Sequence, residues 1–197
     1  MDKNILADFY LNKHYSSVQI GQRLGCSSSA IDYWLYKHSI KKRSISEAMY
    51  VRKNPSGDPF KILPTDSIKS SFLHGLGLGL FWGEGNKRDL NSVRLGNSDP
   101  ALIAKFIEFL KGAYDIDIDK LRFGLQVFND SNAKKCLEFW SSYLNVPEGS
   151  FQKVVVTSIR GKGSYKNKSE HGVLTVYFCN KRLRDIICGS IEKLRNA

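Results

Sequence analysis

GLGLFWGEGN, Gly77 to Asn86, is the stretch on which the fold turns. The apolar run that begins at Phe72 carries Gly75, Gly79 and Gly83, four residues apart and therefore on one stripe of a helix. Each glycine costs roughly 1 kcal/mol relative to alanine inside a helix. Three in one segment call for another backbone at close range, as in contacts between helices carrying small residues four apart. Glu84 then falls at the C-terminal end of the helix, where the carbonyl dipole disfavours a carboxylate. An acid set against its local field expects a cation nearby. A purely structural helix with capping glycines is the plainer alternative. A nucleotide-binding glycine loop is not supported, because neither GxGxxG nor GxxxxGK(S/T) is present.

Outward from this helix, the chain of 197 residues is 42% hydrophobic, enough for one ordinary domain and a smaller one. Its net charge of +11 favours a polyanionic partner, because Lys and Arg gain affinity by releasing counterions from phosphates. Nucleic acid is the first candidate and a membrane surface the second. No apolar run reaches the roughly 18 to 20 residues of a membrane span, and MDKNILADFY has no signal-peptide layout. A soluble cytoplasmic protein with no membrane partner is therefore expected. Cys26, Cys136, Cys179 and Cys188 form no CxxC pair, and the four histidines are scattered. Reduced, buried thiols are expected, and neither a zinc site nor a histidine-centred nuclease site.

The first part of the chain reads as three helices. Residues 3 to 13 place Ile5, Leu6, Phe9 and Tyr10 at helical spacing, and two short periodic segments follow, joined by Gly25 and Cys26. Val18, Ile20, Leu24, Ile31, Trp34 and Leu35, with a serine cluster able to cap the second segment, give a helix-turn-helix layout. Its second helix would present Ser28, Ser29, Asp32, Tyr33, Tyr36 and Lys37 to a DNA major groove. The adjoining Lys41, Lys42 and Arg43 would touch phosphates or enter a minor groove. Three of the five prolines lie in KNPSGDPFKILPTD, residues 53 to 66, a composition that marks a linker. The expected organisation is a helix-turn-helix domain over 1–48, a linker over 49–66 and a larger domain over 67–197.

In the larger domain, SVRLGN reads as a strand with Val93 and Leu95 on one face. ALIAKFIEFLKGAY reads as a helix capped by Asp99 or Ser98 with Pro100 in its first turn. LRFGLQVF is a strand, SNAKKCLEFWSSYL a helix, and FQKVVVTSI with VLTVYFCN a hairpin whose tip is RGKGSYKNKSEHG. KRLRDIICGSIEKL closes the order α-β-α-β-α-β-β-α, an α+β fold with helices on one face of a sheet. From Phe151 onward there are ten Lys and Arg against three acids, whereas residues 98–150 hold six against eight. Arg160, Lys162, Lys166 and Lys168, with Arg94 and Arg122 on strands, fit a saddle lying on a duplex.

The glycine-acid helix resembles the LAGLIDADG motif of homing endonucleases. Gly77, Leu78, Gly79, Leu80, Phe81, Trp82, Gly83, Glu84 and Gly85 fall on its nine positions. Similarly, SxxxIGxxLGCSxSAIxxWL resembles the resolvase-type helix-turn-helix. The first resemblance covers residues 68–197 and implies a sheet saddle covered by helices. Because the motif occurs once, it also implies a homodimer in which Gly75, Gly79 and Gly83 line the helix-to-helix contact. A two-stranded hairpin between Glu84 and NSDP is implied as well, its first strand within 86–92.

The resemblance implies a site-specific, metal-dependent endonuclease acting on double-stranded DNA. Glu84 from each chain would hold Mg²⁺ or Mn²⁺, with Lys153 and Gln126 as further candidates for the catalytic centre. The alternative class is a non-catalytic transcriptional regulator of the same architecture, and an RNA-splicing helper would use the same basic surfaces.

Overall fold

The computed structural model describes residues 1–158 and 169–196. The chain divides into two compact units, Met1–Pro59 and Phe60–Ala197.

In the first unit, α1 (Lys3–Ala7) starts where the Asp2 carboxylate accepts the Asn4 and Ile5 N–H groups. It widens into a π-helical turn, Asp8–Asn12, instead of continuing as one helix to residue 13. At this turn the Arg43 guanidinium donates to the Tyr10 carbonyl, and just beyond it to the carbonyls of His14 and Tyr15, and lies over the Tyr10 ring. Helix α2 (Ser17–Leu24) begins with a Ser16/Gln19 capping box and ends at Gly25, whose φ of 70° needs glycine. Helix α3 (Ser28–Lys37) is capped by Ser27. A Cβ on Gly21 would stand 2.5 Å from the Cys26 carbonyl oxygen, so the turn between α2 and α3 closes only on glycine. Leu6, Tyr10, Ile20, Ile31 and Leu35 form the core of this unit. A further helix, α4 (Ile45–Lys53), carries its own Ser44/Glu47 capping box and buries no residue. The stretch expected as a linker from residue 49 thus begins inside a helix.

The second unit is α+β, with a four-stranded mixed sheet. Helix α5 (Ile68–Glu84) is followed by β1 (Val93–Asn97), α6 (Pro100–Tyr114), β2 (Arg122–Phe128) and α7 (Ala133–Leu144). Then come β3 (Val155–Thr157), β4 (Val173–Phe178) and α8 (Lys181–Arg195). Asp99 caps α6 and Pro100 occupies its first turn, as expected. The strand order is β1-β4-β2-β3. β4 is antiparallel to both β1 and β2, with Arg94 and Arg122 on either side of Tyr177. The expected hairpin of β3 with β4 does not form: β3 pairs with β2, in parallel. Both edges of β4 are taken by β1 and β2, so β3 is left to the free edge of β2.

Val93, Leu95, Phe123, Leu125, Val127, Leu174, Val176 and Phe178 alternate onto the buried sheet face. There they meet Leu78 and Phe81 of α5, the apolar side of α6, Trp140 of α7 and Leu183 and Ile187 of α8. Gly77 lets α5 approach α6: a Cβ there would stand 1.9 Å from the Phe109 ring. Among the described residues of this unit, all four helices pack on the buried face and none on the opposite one.

Candidate nucleic-acid interface

The open sheet face includes two rows that cross β1, β4 and β2. Arg94, Tyr177 and Arg122 stand opposite one another in the first, and Gly96, Thr175 and Gly124 in the second. A Cβ on Gly124 would lie 2.5 Å from the Tyr177 hydroxyl, so the tyrosine ring leans over that glycine along the sheet. Above it, the Arg94 guanidinium is centred 5.2 Å from the Tyr177 ring. Burial raises the Tyr177 pKa, with Arg94 opposing, so the phenol stays neutral at physiological pH. Arg122 is exposed at the strand end and anchors one terminal nitrogen on the Asp119 and Leu121 carbonyls. Gln126 donates to the Thr157 hydroxyl at 3.1 Å, tying β2 to β3.

Arg94 is held by two residues that the sequence reading passed over. Its Nε lies 2.8 Å from Asp89 Oδ2 and donates to Ser92 Oγ at 2.8 Å. The Ser92 hydroxyl, in a residue that is 2% exposed, donates in turn to Asp89 at 2.9 Å. The Asn91 N–H, the Ser92 hydroxyl and the Arg94 charge hold the Asp89 carboxyl below the usual carboxylate range. An acid in a turn five residues before a strand arginine was the available signal.

Glu84 is the last residue of α5, and its carboxylate is exposed. It forms no ion pair among the described residues. Gly85 makes a single antiparallel bridge to Leu95, and the Asn86 N–H donates to the Arg94 carbonyl at 2.8 Å, so the chain leaving Glu84 runs alongside Arg94. This bridge is all that forms of the strand expected within 86–92. The side chains of Asn86 and Asp89 accept from the Arg88, Asp89 and Asn91 N–H groups, and such local bonds compete with a ladder.

Gly75, Gly79 and Gly83 are exposed, with open space where a Cβ would stand on each. They share the outer side of α5 with Ile68 and Phe72, which are 92% and 69% exposed. Among the described residues no backbone meets the glycine stripe. Of the other catalytic candidates, Gln126 lies on β2, two strand spacings or roughly 10 Å from β1, and Lys153 precedes β3 at the far edge. The chain alone therefore does not bring Glu84, Gln126 and Lys153 together. No group of three or more His, Cys, Asp and Glu side chains suited to a metal occurs among the described residues. Arg160, Lys162, Lys166 and Lys168 lie outside the described residues.

In the first unit, α3 exposes Tyr33 and Tyr36, the latter to 85%, while the Lys37 ammonium sits 4.8 Å from the Trp34 ring. Ser29 and Lys41 are exposed and Ser28 is half-buried. Asp32, by contrast, accepts from Ser17 and is paired with Lys42, and Arg43 is spent on the carbonyls of Tyr10, His14 and Tyr15. Their side chains hold the helices together.

Comparison with protein-family models, curated proteins and solved structures finds no match to this chain. No helix among the described residues is long and apolar enough to cross a membrane.

Proposed function

We propose that the protein is a LAGLIDADG-like, site-specific DNA endonuclease acting as a homodimer, with the helix-turn-helix unit adding contacts to its target. The observation that carries this reading is Glu84: an exposed, unpaired acid at a helix C-terminus, on the helix whose glycine stripe faces open space. Packing the stripes of two copies together covers both glycine faces and draws two Glu84 carboxylates toward one axis. The open sheet face with Arg94 and Arg122, and a net charge of +11, suit a duplex.

The described residues of one chain hold no cluster of three metal-binding side chains, but a pair of Glu84 carboxylates would suit Mg²⁺, which binds through one or two protein acids and keeps several waters. The bound ion would activate water and stabilise charge on the phosphate. Arg94 and Arg122 would hold the backbone, and Tyr33 and Tyr36 would read base edges from α3.

A non-catalytic DNA-binding regulator is the second reading, favoured by the separation of Gln126 and Lys153 from Glu84 across the sheet. Incubation with a randomised duplex library and Mg²⁺, sequencing bound and cleaved molecules separately, tests both. Cleavage at a defined site supports the nuclease; tight site-specific binding without cleavage in Mg²⁺ or Mn²⁺ supports the regulator.

A further inference from the structure

We propose that Asp89 and Ser92 preset the Arg94 guanidinium as a fork for a DNA phosphate beside Glu84, which makes Asp89 a positioning residue of the interface. This rests on the DNA-binding reading of the open sheet face. Three contacts hold Arg94: Asp89 and Ser92 on Nε, and the Tyr177 ring, over which the guanidinium carbon lies 5.2 Å from the ring centre. Its two terminal nitrogens bond none of the described residues. An arginine tied at Nε and held over an aromatic ring has given up much of its rotamer freedom on folding, so less is lost when the free fork meets a phosphate. The fork geometry suits two phosphate oxygens at once, which a lysine ammonium cannot match. The chain leaving Glu84 passes directly along this residue through Asn86.

A role confined to the 86–92 turn does not account for the arrangement. Asn86 and Asp89 already secure that turn through backbone N–H groups, without any contribution from the Arg94 guanidinium.

Removing an acid from a DNA-facing surface ordinarily strengthens binding, because one negative charge near the phosphates is gone. If Asp89 acts by setting Arg94, Asp89→Ala weakens binding instead. The experiment measures the affinity of the full chain for a mixed-sequence duplex in EDTA, with thermal unfolding of each variant as a control. Arg94→Ala and Arg94→Lys should each lose about tenfold, Asp89→Ala roughly three- to tenfold, and Asp89→Glu should recover part of that loss. In the Arg94→Ala background, Asp89→Ala should cause no further loss. If Asp89→Ala impairs folding, Asp89→Asn carries the same sign. Stronger binding by Asp89→Ala, or equal losses in both backgrounds, overturns the positioning role while leaving DNA binding intact. A wild-type chain that binds no duplex overturns the DNA-binding reading and this inference with it.

Discussion

The Ser17 hydroxyl donates to the Asp32 carboxylate at 2.6 Å, fastening the start of α2 to the middle of α3. Burial alone would raise the Asp32 pKa, but hydrogen bonds from Lys42 and Ser17 and the Lys42 charge outweigh it and lower the pKa. A carboxyl whose folded pKa is depressed contributes stability above its unfolded pKa of about 3.9, and that contribution is lost as pH falls through the folded value. Asp32→Ala should therefore destabilise the first unit by about 1 kcal/mol near neutral pH, after allowance for solvent screening. Below about pH 4 the difference from wild type should shrink. Urea titrations at the two pH values check this; a difference that grows in acid contradicts it.

The glycines of α5 divide into two kinds. Gly77→Ala places a methyl group inside the Phe109 ring and should cost about 1–3 kcal/mol. Gly79→Ala meets open space and should stabilise an isolated chain by about 0.5–1 kcal/mol through helix propensity. Gly79→Leu should leave the chain folded but abolish self-association, if the stripe joins two copies. Light scattering beside calorimetry separates the outcomes: an unchanged dimer in Gly79→Leu removes the stripe from the interface.

Local chemistry was legible in the sequence and non-local pairing was not. The end of α5 at Glu84, the Asp99–Pro100 start of α6 and the alternation of β1 and β2 follow from capping and periodicity, which involve residues a few positions apart. The partner of β3 depended on which strand edge remained free once β4 was flanked on both sides, and alternation carries no such information. Arg43 and Asp32 show the same boundary. Asp32 reads as a groove-facing helix residue and Arg43 as part of a phosphate-contacting basic run, yet Arg43 donates to the carbonyls of Tyr10, His14 and Tyr15, and Asp32 accepts from Ser17. In the candidate site, Glu84 and Arg94 were visible by residue type and element. The Asp89–Ser92 support behind Arg94 was not, because its meaning depends on a turn taking the place of the expected strand.

The two candidate DNA surfaces should fail in different ways. Tyr36, 85% exposed on α3, contributes little to its own unit, so Tyr36→Ala should change base preference in a binding selection while leaving folding intact. Arg122→Ala should weaken binding to all sequences and reduce the salt-dependence slope by about one unit. An identical uniform loss from both would remove α3 as a sequence reader.

The enzymatic proposal stands on Glu84. Glu84→Gln keeps the shape of the side chain and removes the charge, at an exposed position whose carboxylate has no partner among the described residues, so folding should be unaffected or slightly improved at the helix C-terminus. If two such carboxylates hold a divalent ion, cleavage of a selected target should fall by several orders of magnitude, since the ion supplies both the activated water and the charge stabilisation. Binding in EDTA should hold or rise, because two negative charges near the phosphates are gone. The regulator reading gives a different pair of results: no cleavage by the wild type, and the same small gain in binding on substitution. Measuring nicking rate with Mg²⁺ and affinity in EDTA on one duplex therefore decides between them, and a wild-type nicking rate that survives Glu84→Gln would remove this residue from the chemistry altogether.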